Sequence, residues 1–324
     1  MLTRRLATGL LLAAPWTARG MAQSPYPNHA VKMIIPFPAG GPTDIVGRLL
    51  GRAFEERLKA PFVVDNRGGA GGTIGLGAVA HAPPDGYTLA ISASGALAML
   101  PHLMPNMPFD YSKDFTAISM VMTVPQVLAV SKRLGVKSVE ELIALAKAKP
   151  GKLTYGSSGV GTSLQFSAEL FKLRAGNLNI VHVPYRGVAP ALTDLMGGQI
   201  DMLFGDVPVM LPHADGGDII PIGLTAGQRL PSLPNVPTLA ESGVKDAESY
   251  TFYALVGPAG MTADLVSLLN TTLLQTLSDP QTRKILTDQG GIIIGGSPDE
   301  CRTFIEAENK KWGEVARLAG IKME

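Results

Sequence analysis

The sequence predicts an α/β protein of two lobes around a ligand cleft, and three observations carry that reading. Short apolar runs alternate with stretches of helical periodicity along most of the chain, the pattern of βα units that make parallel sheets with helices on both faces. Two β-rich runs, Val121–Ser131 and Tyr250–Gly257, break the alternation and read as strands crossing between lobes. A Gly-rich turn joins a strand to a helix once in each half, at Pro36–Asp44 and Tyr155–Thr162. Ligands in open α/β sheets bind outside the carboxyl ends of the strands, so two facing lobes set two such edges across one cleft. Periodicity leaves open one large sheet in which the crossings are ordinary strands.

In order, Val31–Phe37 is an apolar run closed by Pro36, Pro38 and Gly40-Gly41, and reads as a buried strand. From Asp44 to Lys59 the residues Ile45, Val46, Leu49, Leu50, Phe54 and Leu58 recur at helical spacing. Phe62–Asp65 is a strand, Asn66–Gly72 a loop, and a helix runs to about Ala82. Asp85-Gly86 turns the chain into strand Tyr87–Ser92, and Pro101–Asp114 is a proline-broken stretch. After the first crossing, Ser138 caps a helix with Glu140 and Glu141 in its first turn, which Pro150-Gly151 stops. Strands at Leu153–Tyr155, Ile180–Val183, Ile200–Phe204 and Ile219–Leu224 then alternate with helices at Thr162–Arg174 and Pro190–Met196. Beyond a Pro-rich loop, Pro231–Pro237, and the second crossing, helices Thr262–Leu277, Pro280–Gln289 and Pro298–Ala319 surround a short strand, Ile292–Ile294. The economical division gives residues 23–124 and 251–324 to the first lobe and residues 125–250 to the second.

Composition narrows the function. With 324 residues, and roughly 150 per domain, two domains are expected. At 46% hydrophobic and 17% charged, the chain can build a core and is not disordered. Its 28 basic and 27 acidic residues give a net charge of +1, without the basic excess of a nucleic-acid binder. One cysteine, Cys301, excludes internal disulfides and Cys-rich metal sites. The five histidines are scattered, with no pair at i,i+4, so no metal ion or other cofactor is expected.

Residues 1–22 carry Arg4 and Arg5, an apolar run Leu6–Ala14 and small residues at Gly20 and Ala22, the layout of a secretory signal peptide. The run is too short to span a bilayer, which takes about 20 residues. Cleavage after Ala22 leaves 302 residues and, with three arginines gone, a net charge of −2 (+1 − 3). No cysteine lies near the cut to take a lipid anchor, so a free periplasmic protein is expected. The arginine pair fits twin-arginine export, but Ala7 stands where that signal prefers Phe, and the general secretory route fits as well.

The chemistry concentrates in the two turns. Glycines let backbone approach a ligand, and free N–H groups at a helix start favour an anion. Ser157, Ser158 and Thr162 add hydroxyls to the second turn. One turn per lobe suits an acid gripped from both sides by backbone amides, with no cationic residue required. Asp44 and Arg48, at i,i+4, read as a surface ion pair, with Asp44 also complementing the helix start. Other motifs fail. Gly75–Ala80 has the letters of a dinucleotide fingerprint but lies inside a helix. Gly151-Lys152 is followed by Leu153, so no phosphate loop exists, and no Gly-x-Ser-x-Gly elbow occurs.

The motifs PFPAGGPTD (Pro36–Asp44), DNRGGAGG (Asp65–Gly72), PDGYTL (Pro84–Leu89), YGSSGVGT (Tyr155–Thr162), HVPYRGVAP (His182–Pro190), DLMGGQID (Asp194–Asp201), LPNVPT (Leu233–Thr238) and PAG (Pro258–Gly260) resemble those of the Bug family, in the family's order. These are periplasmic solute-binding proteins of tripartite tricarboxylate transporters. The resemblance implies a type II periplasmic-binding fold, two lobes with two hinge crossovers and a carboxylate held in the cleft, partly through ordered waters. It places ligand contacts at Phe37, Pro38, Ala39, Gly40, Gly41 and Asp44 in one lobe, and at Ser157, Ser158, Gly159, Val160, Gly161 and Thr162 in the other. Ser92 and Ser94 after the third strand, and Arg186 and Asp206 after strands of the second lobe, are further candidates.

The sequence departs from the family pattern at four positions. Gln165, also a candidate contact, replaces a usual His; Leu97 and Leu100 replace His and Asn; Phe252 replaces Trp. Trading polar for apolar near a cleft predicts a ligand with a hydrophobic or aromatic body rather than citrate or aspartate. The leading expectation is therefore a monomeric, non-enzymatic receptor that closes on a small carboxylate and delivers it to integral membrane transporter subunits. A periplasmic sensing subunit for a membrane signalling system is the alternative. A secreted hydrolase is disfavoured, because no nucleophile, base and orienting group can be named together.

Overall fold

The computed structural model describes residues 26–322; the expected signal peptide, residues 1–22, lies outside them. The chain runs β1 (Val31–Ile35), α1 (Pro42–Leu58), β2 (Phe62–Asn66), α2 (Thr73–Ala80) and β3 (Thr88–Ala93). A π-helical turn, Gly95–Met99, and a tighter turn, Leu100–His102, lead to α3 (Tyr111–Asp114) and the long β4 (Phe115–Val130). Then come α4 (Val139–Ala148), β5 (Thr154–Ser157), α5 (Ser163–Arg174), β6 (Val181–Pro184), α6 (Val188–Gly197), β7 (Met202–Asp206), α7 (Val207–Asp215) and β8 (Ile220–Leu224). The chain ends with β9 (Tyr250–Pro258), α8 (Ala263–Ser278), α9 (Pro280–Asp288), β10 (Ile292–Ile293) and α10 (Pro298–Ala319).

In one sheet β1 lies between β2 and β3, all parallel, and β9 joins antiparallel to β3 and to β4. In the other β5 lies between β6 and β7, again parallel, and β7 and β8 pair antiparallel with β4. β4 serves both, pairing through Pro125 with β9 and from Gln126 onward with β7. The sheets are therefore mixed rather than parallel throughout, because both crossing strands enter antiparallel. Hydrogen bonding also runs unbroken from one sheet to the other through β4, so the two topologies left open by periodicity share one strand.

Both faces of each sheet are buried, which explains the apolar runs. Along β1, Met33 and Ile35 pack with Leu50 and Phe54 of α1, while Ile34 turns to the opposite face with Leu76, Trp312 and α10. Along β4, Leu128 and Val130 face Phe171 and Phe204, whereas Val127 and Ala129 face Leu195 and Leu203. α10 begins in a capping box between Ser297 and Glu300, and its Trp312 meets Phe166 of α5 edge to face, 5.7 Å between ring centres. α7 has no counterpart in the sequence reading. Pro208 sits in its first turn, where no N–H is needed, and Pro212 lies inside it, so its residues do not look helical.

Candidate functional site

A cavity of about 710 Å³ opens between the two sheets, at the carboxyl ends of their parallel strands. Its walls are the turn Phe37–Gly41 after β1, Ser94 and Gly95 after β3, Ser158 and Val160–Thr162 after β5, Gly187 after β6 and Asp206 at the end of β7. Thr251 and Tyr253 of β9 also contribute, and Leu100 and Val209 close the sides.

The helix starts that border this cavity share one property. α1, α2 and α6 begin at Gly41, at Gly72 beside the wall residue Gly71, and at Gly187, which have no side chain to cap them. α5 begins at Thr162, whose hydroxyl donates instead to the Gly159 carbonyl at 2.7 Å, and α7 begins at Asp206, whose carboxylate makes no cap bond. By contrast α3, α4, α8, α9 and α10, which border other surfaces, are capped by Asp110, Ser138, Thr262, Asp279 and Ser297. Helical bonding in α1 starts at Ile45 N–H to Gly41, and in α5 at Phe166 N–H to Thr162. The N–H groups of Thr43, Ser163 and Leu164 thus have no partner among the described residues. The Ser94 hydroxyl, buried at the wall, is also unpartnered there. Unpaired donors and the positive ends of several helices converge on one space, and such a space stabilises an anion without any cation.

Among the described residues, Asp206 is the one charged side chain lining the cavity. Asp206 is half-buried, and desolvation pushes its pKa up to about 6 against the lowering effect of the Thr251 hydroxyl and the nearby Gln126 amide. Its Oδ1 accepts the Thr251 hydroxyl at 3.0 Å, and Thr251 meets the Ser163 hydroxyl at 2.9 Å.

The model of the tripartite tricarboxylate transporter family receptor matches residues 46–321. The chain belongs to that family. Protein BugT of Bordetella pertussis is 35% identical over 325 residues, all of this chain and 99% of that one. An R. palustris protein solved with adipate superposes with a TM-score of 0.82 at 36% identity, over 92% of this chain and all of that one. The periplasmic binding protein BugD gives 0.78 at 30% identity, with the same coverage. The fold is thus the two-lobed type II periplasmic-binding fold, with two crossovers around a cleft. Receptors of this family bind small carboxylates, work with membrane transporter components and are not enzymes.

Within this receptor, Phe37–Gly41, Ser94, Ser158, Val160–Thr162 and Asp206 line the cavity, whereas Asp44, Ser92, Ser157, Gly159, Gln165 and Arg186 do not. Asp44 is buried and braces the first turn. Its Oδ2 accepts the Gly40 N–H and Arg48 Nε, each at 2.9 Å, and its Oδ1 accepts Asn66 Nδ2 at 2.8 Å. Burial alone would raise its pKa, but these bonds bring it down to about 2. Ser92 is fully buried, and Arg186 is exposed.

Ser157 and Gln165 brace the second turn through His182. Gln165 Oε1 accepts the Gly161 N–H at 2.8 Å, which leaves its amide nitrogen to donate to His182 Nδ1 at 3.3 Å. His182 must then carry its proton on Nε2 and donate it to Ser157 Oγ at 2.7 Å, while Ser157 donates to the Gly159 carbonyl. Burial, then Lys172, lowers the His182 pKa to about 4, so the ring is neutral. In that tautomer His182 cannot take a proton from Ser157, so the pair is a brace and not a nucleophile with its base.

The four departures from the family pattern separate as well. Leu100 lines the cavity, with its Cδ2 only 2.5 Å from where a Cβ at Gly161 (φ +79°) would stand, so only glycine fits there. Leu97 and Phe252 are core residues, the latter set edge to face on Phe304. Sequence reasoning missed Thr43, Ser163, Val209, Thr251 and Tyr253. Thr251 and Tyr253 stand two apart on one face of β9, where burial on both sides of the strand leaves no polar alternation to mark them.

Proposed function

We propose that this receptor is exported to the periplasm, captures a small organic acid with an apolar body, and presents it as a monomer to the integral membrane subunits of its transporter. Residues 23–124 with 251–324 form one lobe and residues 125–250 the other, closing by bending where β4 and β9 cross. The acid's carboxylate sits between the start of α1 with Ser94 and the start of α5 with Ser158. The observation that carries this reading is the contrast in capping: helix starts at the cavity are bare, and those elsewhere are closed by side chains. Phe37, Leu100, Val160, Val188, Val209 and Tyr253 give the remaining wall its apolar character and support an aromatic or long aliphatic body. Adipate in a relative of similar fold is consistent with an acid in this cleft.

The test is thermal unfolding of residues 23–324 against citrate, aliphatic dicarboxylates, benzoates, terephthalate, nicotinate and amino acids, each beside its amide. Ligand at a hundred times Kd stabilises by about 2.7 kcal/mol, a readable shift. An acid that shifts the transition while its amide does not supports the reading. A panel in which no acid does so refutes carboxylate capture.

A further inference from the structure

The cleft carries an acid where an anion receptor has least use for one. Asp206 ends β7 and starts α7, at the cavity wall beside Thr251. Its Oδ1 is satisfied by the Thr251 hydroxyl at 3.0 Å. Thr251 has spent its one proton there, so toward Ser163 and Gln126 it can only accept, and both are placed to donate, at 2.9 and 3.4 Å. This chain fixes Asp206 in place and orients its second oxygen, Oδ2, to which no protein donor bonds among the described residues. The start of α7, which would otherwise attract an anion, already has a carboxylate at it. No lysine, arginine or histidine lines the cavity to neutralise that charge, again among the described residues.

We propose that Asp206 determines the ligand class: its Oδ2 accepts a hydrogen bond from a hydroxyl or ammonium group on the ligand's body, remote from the carboxylate held by the bare helix starts, and it repels a second carboxylate. The preferred ligands are then monocarboxylates with an apolar body and a hydrogen-bond donor at the far end, such as hydroxylated aromatic acids or ω-hydroxy and ω-amino aliphatic acids. Three features favour this over a purely structural Asp206: one unused acceptor oxygen, a fixed side chain and its place as the one charged side chain on the cavity wall among the described residues. A ligand without a donor leaves that acceptor unpaired, which costs binding. This inference rests on the carboxylate-capture reading above.

The experiment is calorimetric titration of residues 23–324 with two matched sets: hexanoate, 6-hydroxyhexanoate, 6-aminohexanoate and adipate; and 4-methylbenzoate, 4-hydroxybenzoate and terephthalate. Repeats use Asp206→Asn, whose amide oxygen can still accept from Thr251, and Asp206→Leu. In the parent, the donor-bearing acid of at least one set binds roughly tenfold or more tightly than its methyl-ended and dicarboxylate partners. Asp206→Leu erases that preference while the methyl-ended acid still binds, and Asp206→Asn strengthens the dicarboxylate. Equal binding across both sets in the parent, or a preference that survives Asp206→Leu, overturns this inference alone. If no acid of either set binds the parent, capture fails and the inference falls with it. Should both variants unfold, the ranking in the parent still decides.

Discussion

Replacing Asp206 by Asn changes how the empty receptor's stability depends on pH, and the structure gives both sign and size. The carboxyl titrates at about 6 in the folded protein against an ordinary value of 3.8. Above both values the folded state holds a buried anion it disfavours, and below both the neutral acid costs nothing extra. Between them the folded state binds more protons than the unfolded one, so stability falls as pH rises from about 4 to about 6 and is flat beyond. That difference corresponds to roughly 3 kcal/mol, an upper figure because the start of α7 favours the anion. Asn removes the titration and keeps the acceptor for Thr251. Tyr253, the other titratable group at the wall, stays protonated through this range because burial raises its pKa. The assay is urea unfolding of parent and variant from pH 3.5 to 8, compared as a difference so that other titrating groups cancel. Asn is expected to match the parent near pH 3.5 and to be more stable by up to about 3 kcal/mol above pH 7. A difference independent of pH would refute the assignment of a raised, buried carboxyl.

Two further substitutions separate cleft from brace. Leu100→Asn puts an amide on the apolar wall, so aromatic acids should bind several-fold more weakly in titration while a small dicarboxylate is spared. Asp44→Ala strips the first turn of its acceptor for Gly40, Arg48 and Asn66, and should destabilise by about 1–3 kcal/mol while weakening every acid in the panel alike.

What the sequence reveals and conceals follows from how each feature is built. The two turns are legible because glycine and proline punctuate the chain where backbone must approach closely, as at Gly161 against Leu100. Whether a polar residue beside such a turn faces the ligand or ties down the turn is not legible. Asp44, Ser157 and Gln165 have the chemistry of contacts, but each turns back onto its own loop. Leu97 and Leu100 diverge for a similar reason: a π-helical turn followed by a tighter one sends the first into the core and the second to the cavity wall, which spacing alone does not forecast. β9 hides Thr251 and Tyr253 because both its faces are buried and no polar alternation marks the side toward the cleft.

The same construction explains how a receptor holds an anion yet stays selective. Backbone donors at helix starts cannot distinguish one carboxylate from another, since every carboxylate offers the same two oxygens. They supply attraction that is common to the whole class, and the braces at Asp44 and His182 keep those donors fixed without adding charge to the cleft. Selectivity must then come from groups that touch the rest of the ligand. In this chain the groups proposed for that are an apolar wall centred on Leu100 and Val209 and one carboxyl, Asp206, fixed through Thr251 of β9. Because Thr251 belongs to β9 and Asp206 to the sheet beyond it, the proposed ligand contact at Asp206 would act next to the segment proposed to bend on closure. Recognition of the ligand's body and closure of the cleft therefore draw on the same few residues.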